Sequence, residues 1–359
     1  MLADDVLTEV AGACRLREGP EGVRSLLRAV HEHGRIALRD AAVEIGLPVP
    51  VAAAVRRELE KRGLLARQAG MTLTDLGAAY VQGELAFGES GELVCPVCEG
   101  RHIVLGPTEE ALIGRVRKLF AARPEADVTL DQSHNTAESA VRRLAFMAHK
   151  GAIAGRALVF LGDDDLMSVT VAVGARQLRL GLPKRVCAVD VDDRLLAAIF
   201  EVSRTEGLGI ECIRHDLRCP LPGNLHGAFD VFFTDPPYTL DGATLFASRG
   251  AEALCDEPMK QGFLSFARKD PCTLAELHVR LGQMGFAVSQ VIPSFTDYEG
   301  AAILGGTSEM IHLASSGRTK PYFAHPLASP IYTADSPDRV GRRGGPAASR
   351  RSRGKGGPE

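Results

Sequence analysis

From about residue 153 onward, apolar strand-like runs alternate with helices, and acidic turns stand at the joints. RALVFLGDDDLMSVTVAVGARQLRLGLP reads as strand, turn and helix, and KRVCAVDVDDRLLAAIFEVSRTEGLG repeats that order. IECIRHDLRCPLP and FDVFFTDPPYT supply two further strands. Runs this short and this apolar need cover on both faces. The pattern therefore predicts an α/β chain with a parallel sheet, Rossmann-like, and helices on either side. In such sheets ligands sit beyond the carboxyl ends of the strands, where these acidic turns fall.

The candidate site residues follow from those four strand ends. The first carries Gly162, Asp163, Asp164 and Asp165; the second Asp190; the third Asp216; the fourth Asp235, Pro236, Pro237 and Tyr238. An acid at the end of a second strand is placed to accept hydrogen bonds from ribose hydroxyls. Asp190 takes that role, and Asp216 that of an acceptor from an adenine amino group. A G-x-G-x-x-G phosphate cradle is absent, and three carboxylates occupy the first turn instead. They repel a pyrophosphate and favour a cationic nucleoside. Asp131, on a loop before a helix, and Glu257, in the loop after DPPYT read as a lid, are further candidates for holding the ammonium ends of a substrate. His134 and His215 read as polar packing residues.

The flanking regions are plainer. Residues 1–88 read as three helices and a short strand pair near Leu64 and Met71, the order of a winged helix-turn-helix. Its third helix mixes Arg56, Arg57, Lys61 and Arg62 with Glu58 and Glu60, so docking or dimerisation is favoured over groove reading. Residues 89–150 form a connector with one C-x2-C. Cys95, Cys98 and His102 make three ligands where structural zinc takes four, so metal is not expected. Residues 151–334 form the sheet domain, and 335–359 an Arg/Gly/Ser-rich tail expected to be disordered. The net charge of −3 and the absence of Trp argue against bulk nucleic-acid binding. The acids in MLADDVLTEV and the lack of a long apolar run predict a cytoplasmic protein with no membrane partner. The eight cysteines read as thiols.

The strand order and Asp190 resemble the S-adenosylmethionine-dependent methyltransferase fold, and DPPY resembles the amino-methyltransferase motif whose Asp and Pro carbonyl receive a target amine. GDDDL after a buried strand, TDPPYT farther on, the winged-helix front and the CPVC connector together resemble the branched-chain polyamine synthases. These are aminopropyltransferases, also called N4-bis(aminopropyl)spermidine synthases. The resemblance spans most of residues 20–330, although only CPVC and His102 stand for a fuller cysteine knuckle. It implies decarboxylated S-adenosylmethionine as co-substrate, no prosthetic group, and spermidine alkylated at its central nitrogen. It leaves Asp164 or Asp165, with Asp235, as proton acceptors, and Gly162, Asp163, Asp190 and Asp216 around the donor. Asp131, Pro236, Tyr238 and Glu257 go to the acceptor. Charge supports the donor: the carboxylate of ordinary S-adenosylmethionine would meet Asp163–Asp165, whereas the decarboxylated form brings an ammonium. A homodimer through the N-terminal module is expected. Two other readings use the same residues: a DNA or RNA amino-methyltransferase, and a regulator that senses polyamine without turnover.

Overall fold

The structure is a computed structural model that describes residues 3–67, 70–87, 95, 97, 98, 100–299, 306–328, 331 and 332. The expected basic tail lies outside the described residues. The chain opens with α1 (Ala3–Cys14), α2 (Gly19–His33), α3 (Leu38–Ile45) and α4 (Val49–Lys61), then the hairpin β1 (Leu65–Arg67) and β2 (Met71–Leu73), then α5 (Asp75–Gly83). Leu26, Leu27 and Val30 of α2 are fully buried with Val55 and Leu59 of α4 in a core of their own. The strand pair after a run of helices is where the sequence put it.

α6 (Pro107–Phe120) and α7 (Ala137–His149) lead into the sheet. Thr136 caps α7, its hydroxyl accepting from Ser139 N–H at 3.1 Å. The sheet strands are β3 (Ala157–Leu161), β4 (Arg185–Asp190), β5 (Glu211–Arg214), β6 (Val231–Thr234), β7 (Pro258–Phe266), β8 (Phe286–Asp297) and β9 (Thr307–Ser316). Between them run α8 (Met167–Gln177), α9 (Asp193–Glu206), α10 (Leu240–Ala253) and α11 (Pro271–Gln283). Their order across the sheet is β5-β4-β3-β6-β7-β9-β8, parallel up to β7, with β9 antiparallel to both neighbours.

The two-residue period of a strand divides the core. Leu158 and Phe160 of β3 face a cluster with α6–α9, while Val159 and Leu161 face a second cluster with α10 and α11. Register then builds the site. Leu161 lies level with Val189 and with Thr234, so Gly162, Asp190 and Asp235 emerge side by side at one edge. Neighbouring parallel strands are about 4.8 Å apart, close enough for their carboxylates to interact. Because β3 has β4 on one side and β6 on the other, the chain reverses direction of growth here, which opens the crevice.

Among the described residues no helix is long and apolar enough to cross a membrane, and no group of three His, Cys, Asp or Glu side chains is arranged to hold a metal ion. One expectation is corrected here. The segment after DPPYT is not a lid but α10, buried along most of its length. Glu257 precedes β7 and so lies at the amino end of the parallel strands, opposite the crevice. Its exposed carboxylate pairs with Lys260 at 2.8 Å.

Candidate active site

Gly162 follows β3 in the left-handed region (φ 69°), and a Cβ there would come within 2.8 Å of the Phe246 ring. The tight turn this allows sends the next three carboxylates in different directions. Asp163 turns inward. Its oxygens accept from Met167 N–H (2.8 Å), Ser168 N–H (3.3 Å) and Ser168 Oγ (2.5 Å), capping α8. It is 1% exposed, and burial pushes its carboxyl up to about 7 against the Ser168 bonds. The expectation that Asp163 faces the donor is thereby corrected: an N-terminal cap outcompetes the crevice for its oxygens.

Asp165 is also buried. It accepts from Asn135 N–H at 2.8 Å and forms an ion pair with Arg143. Asp164 lies between these two and is the member of the triplet that lines the crevice. It accepts from Ser133 N–H at 3.1 Å and has no ion pair among the described residues. Burial, with the charges of Asp165, Asp235 and Asp190, holds its carboxyl well above the usual carboxylate range.

Arg143 organises the centre and was not foreseen from the sequence. It is fully buried, and its guanidinium reaches Asp165 and Asp235 together. Its Nε donates to Thr296 Oγ1 (3.0 Å), and Nη2, which meets Asp235, also lies within hydrogen-bond reach of Ser265 Oγ (3.0 Å) and Tyr298 OH (2.9 Å). Tyr298, also unforeseen, donates to Asp235 at 2.5 Å and stands 2.9 Å from Ser308 Oγ. Tyr238 donates to Asp235 at 3.0 Å and lies 2.5 Å from the Tyr298 hydroxyl. Asp235 is thus held by a guanidinium and two phenols. Burial raises it to about 6, and Arg143 opposes that rise. A signal for Arg143 was available: it falls on the apolar stripe of α7 with Ala140, Leu144 and Met147, all buried. An arginine on such a stripe demands a buried acid. Tyr298 carries no such local signal.

The crevice itself is lined by Asp131, Gln132, Gly162, Asp164, Asp190, His215, Asp216, Asp235, Pro237 and Tyr332, among others. Asp190 accepts from the backbone N–H of Asp163 (3.0 Å) and of Asp192 (2.8 Å), which fixes its carboxylate at the β4 end. Asp216 is drawn to Arg218 at 2.7 Å, and that guanidinium holds its carboxyl low. Asp131 adopts a left-handed backbone (φ 57°) at the mouth. The wall residue of the Pro pair is Pro237, while Pro236 is buried beside it and Tyr238 stands behind Asp235. His215 bonds the carbonyl of Pro220 at 3.0 Å.

A seven-stranded sheet in this order, with an acid-lined crevice at the reversal of strand order, defines a protein of methyltransferase-like α/β fold whose site suits a cationic ligand. Residues 111–327 match the model of the branched-chain polyamine synthase A C-terminal domain, and the chain belongs to that family. It is 36% identical over 261 residues to an N(4)-bis(aminopropyl)spermidine synthase of Thermus thermophilus, covering 70% of this chain and 69% of the relative. A protein of the same name from Thermococcus kodakarensis is 31% identical, with 77% of each chain covered. An uncharacterised protein of Methanocaldococcus jannaschii is 37% identical, covering 86% of this chain and 77% of its own. The fold also matches the crystal structure of the Thermus thermophilus branched-chain polyamine synthase in complex with N4-aminopropylspermidine and 5'-methylthioadenosine. That match has a TM-score of 0.75 at 26% identity, over 93% of this chain and 98% of the other.

Proposed function

We propose that the chain transfers aminopropyl groups from decarboxylated S-adenosylmethionine to the central nitrogen of spermidine, giving branched polyamines. One observation carries the reading. Asp131, Asp164, Asp190, Asp216 and Asp235 line one crevice against Arg218 alone among the described Lys and Arg side chains of its wall, and the buried Arg143 behind it is already shared by Asp165 and Asp235. Such a field concentrates a polycation and disfavours a donor that carries its own carboxylate.

Asp190 and Asp216, with Tyr332 nearby, form the nucleoside end, and Gly162 lets the donor approach the turn. The acceptor's central amine lies between Asp164 and Asp235, and Asp131 takes one primary ammonium. In the transfer the amine lone pair forms a bond to the methylene next to sulfur. The C–S bond breaks towards sulfur, and methylthioadenosine leaves neutral. Positive charge moves onto nitrogen, which the neighbouring carboxylates stabilise. The secondary amine then gives its proton to a carboxylate. Asp164 suits that task better than Asp165, whose oxygens are engaged by Asn135 and Arg143, and its carboxyl is raised above the usual range. A second transfer, to the tertiary amine, makes a quaternary nitrogen and releases no proton, so positioning alone must serve it.

The region 1–88 is read as a winged-helix-like module through which two copies pair, 89–150 as a connector, 151–334 as the catalytic domain and 335–359 as a basic tail. Mass spectrometry of products from spermidine with decarboxylated S-adenosylmethionine, beside a control with the ordinary donor, tests the reading. A gain of one or two aminopropyl units with the decarboxylated donor alone supports it. Methyl transfer to nucleic acid in the control arm replaces it with the amino-methyltransferase reading, and binding without donor consumption with the sensor.

A further inference from the structure

At the carboxyl end of β7, Lys269 stands between two spaces. Phe266, the last residue of the strand, meets Tyr238 edge-on with ring centroids 5.9 Å apart. Lys269 Nζ lies 6.0 Å from the Phe266 centroid. On one side the ammonium interacts with Asp131, which lines the crevice. On the other, Lys269 lines a second cavity of about 330 Å³ between the N-terminal helices and the sheet. The same partition continues at Ser308, which lines that cavity and lies 2.9 Å from the Tyr298 hydroxyl on Asp235. One layer of side chains, Phe266, Lys269, Tyr298 and Ser308, therefore separates the acidic crevice from the cavity.

The sign of the charges differs across that layer. The crevice is walled by five carboxylates, with Arg218 paired to one of them, Asp216. The cavity is walled by Arg15, Arg17, Arg268 and Lys269 against Glu18, Asp270 and Glu309, so cations exceed acids by one; Asp270 pairs with Arg17 at 3.3 Å and Glu309 with Arg268 at 3.9 Å. An ammonium leaving the crevice past Asp131 meets like charge at once, and it does so at a half-buried lysine where water screens least.

Resting on the polyamine reading, we propose that Lys269 sets the length of acceptor the enzyme takes. Its ammonium repels the terminal ammonium of any acceptor arm long enough to pass Asp131, and so closes the interdomain cavity to longer polyamines. A triamine whose arm ends at Asp131 is accepted, and a linear tetraamine is discriminated against by repulsion rather than by lack of room.

The test compares spermidine with spermine as acceptors for wild type, K269Q, K269E and K269R, with decarboxylated S-adenosylmethionine and products read by mass spectrometry. The expected wild-type preference for spermidine in kcat/KM is about tenfold or more, as juxtaposed like charges impose. K269Q and K269E narrow that preference about tenfold with the spermidine kcat held, whereas K269R keeps it. A folded K269Q whose acceptor ratio equals that of wild type overturns the proposal, as does a wild type that uses both acceptors equally. A wild type that transfers to neither acceptor overturns the function itself, so the two failures are told apart.

Discussion

Replacing Arg143 by Met keeps most of the stem's packing and removes the charge and every donor. The side chain is fully buried, and without it Asp165 and Asp235 are left with no buried cation between them. Removing one partner of a buried ion pair costs about 3–5 kcal/mol, because the other charge stays buried and uncompensated. With two carboxylates on one guanidinium, a loss of about 4 kcal/mol near pH 8 is expected, a large share of an ordinary domain's stability of roughly 5–15 kcal/mol. The pH dependence gives the sharper test. Asp235 is already raised to about 6 in the native protein, and Arg143 is the larger of the influences that lower it, ahead of the Tyr298 hydrogen bond. Without Arg143 it rises further. A carboxyl raised in the folded state contributes stability below its unfolded pKa of about 3.9, and that contribution is lost as pH rises through the folded value. The deficit of Arg143→Met is therefore greatest near pH 8 and shrinks towards pH 5. Urea unfolding followed by far-ultraviolet circular dichroism measures it, since the chain has no Trp to report by fluorescence. A variant unfolded at pH 8 that folds on acidification gives the same signature. A deficit below about 1 kcal/mol, or one equal at both pH values, would refute the assignment of Arg143 as the counter-ion of both acids. Adding Asp235→Asn to the variant should recover part of the loss, and strict additivity would show that the two residues are not coupled.

Asp164→Asn should lower the rate of the first transfer by about 10²–10⁴-fold with little change in melting temperature, while Asp165→Asn should instead show its main loss in stability. Equal rate losses without any loss of stability would merge the two roles that the geometry separates. Spermidine affinity, measured by calorimetry, should fall as pH drops through about 6, where Asp235 loses its charge while the polyamine keeps its own; burial and neighbouring carboxylates raise Asp164 in the same direction. A flat profile down to pH 5 would mean that neither acid faces the ligand. Gly46→Ala should destabilise the contact between the N-terminal helices and the sheet by about 1–3 kcal/mol. The residue has φ 71°, and its Cβ would fall 2.0 Å from Arg268 Cδ. Arg268→Ala in the same chain should relieve the steric part, and melting curves that show no relief would place the cost in the backbone alone.

The strands, their acidic ends and the parallel sheet were legible because each is written locally. Apolar runs such as VCAV and DVFFT need cover, and turns such as GDDD and DPPY interrupt them at a spacing set by strand and helix lengths. The strand pair after α4 was equally local. Family membership rested on the combination of these motifs, and the comparisons bear it out. Register brought the strand ends level, so a list of separate acids became one crevice.

Three things lay beyond that reading. Asp163, Asp164 and Asp165 are chemically identical neighbours, and only the turn at Gly162 assigns one to a helix cap, one to the crevice and one to an ion pair. Arg143 and Tyr298 stand 92 residues before and 63 residues after Asp235, and meet it through the packing of α7 and of the β8 end against the sheet. Glu257 was misassigned because nearness to DPPY in the chain is not nearness in space: α10 carries the chain back across the sheet before β7 begins. The sequence by itself determined which segments form strands, which carry charge and so what kind of ligand they suit, because those properties depend on residues within a turn or two of one another. Which carboxylate is free to take a proton was decided only by the tertiary structure, because burial and counter-ions are supplied by residues far away in the chain.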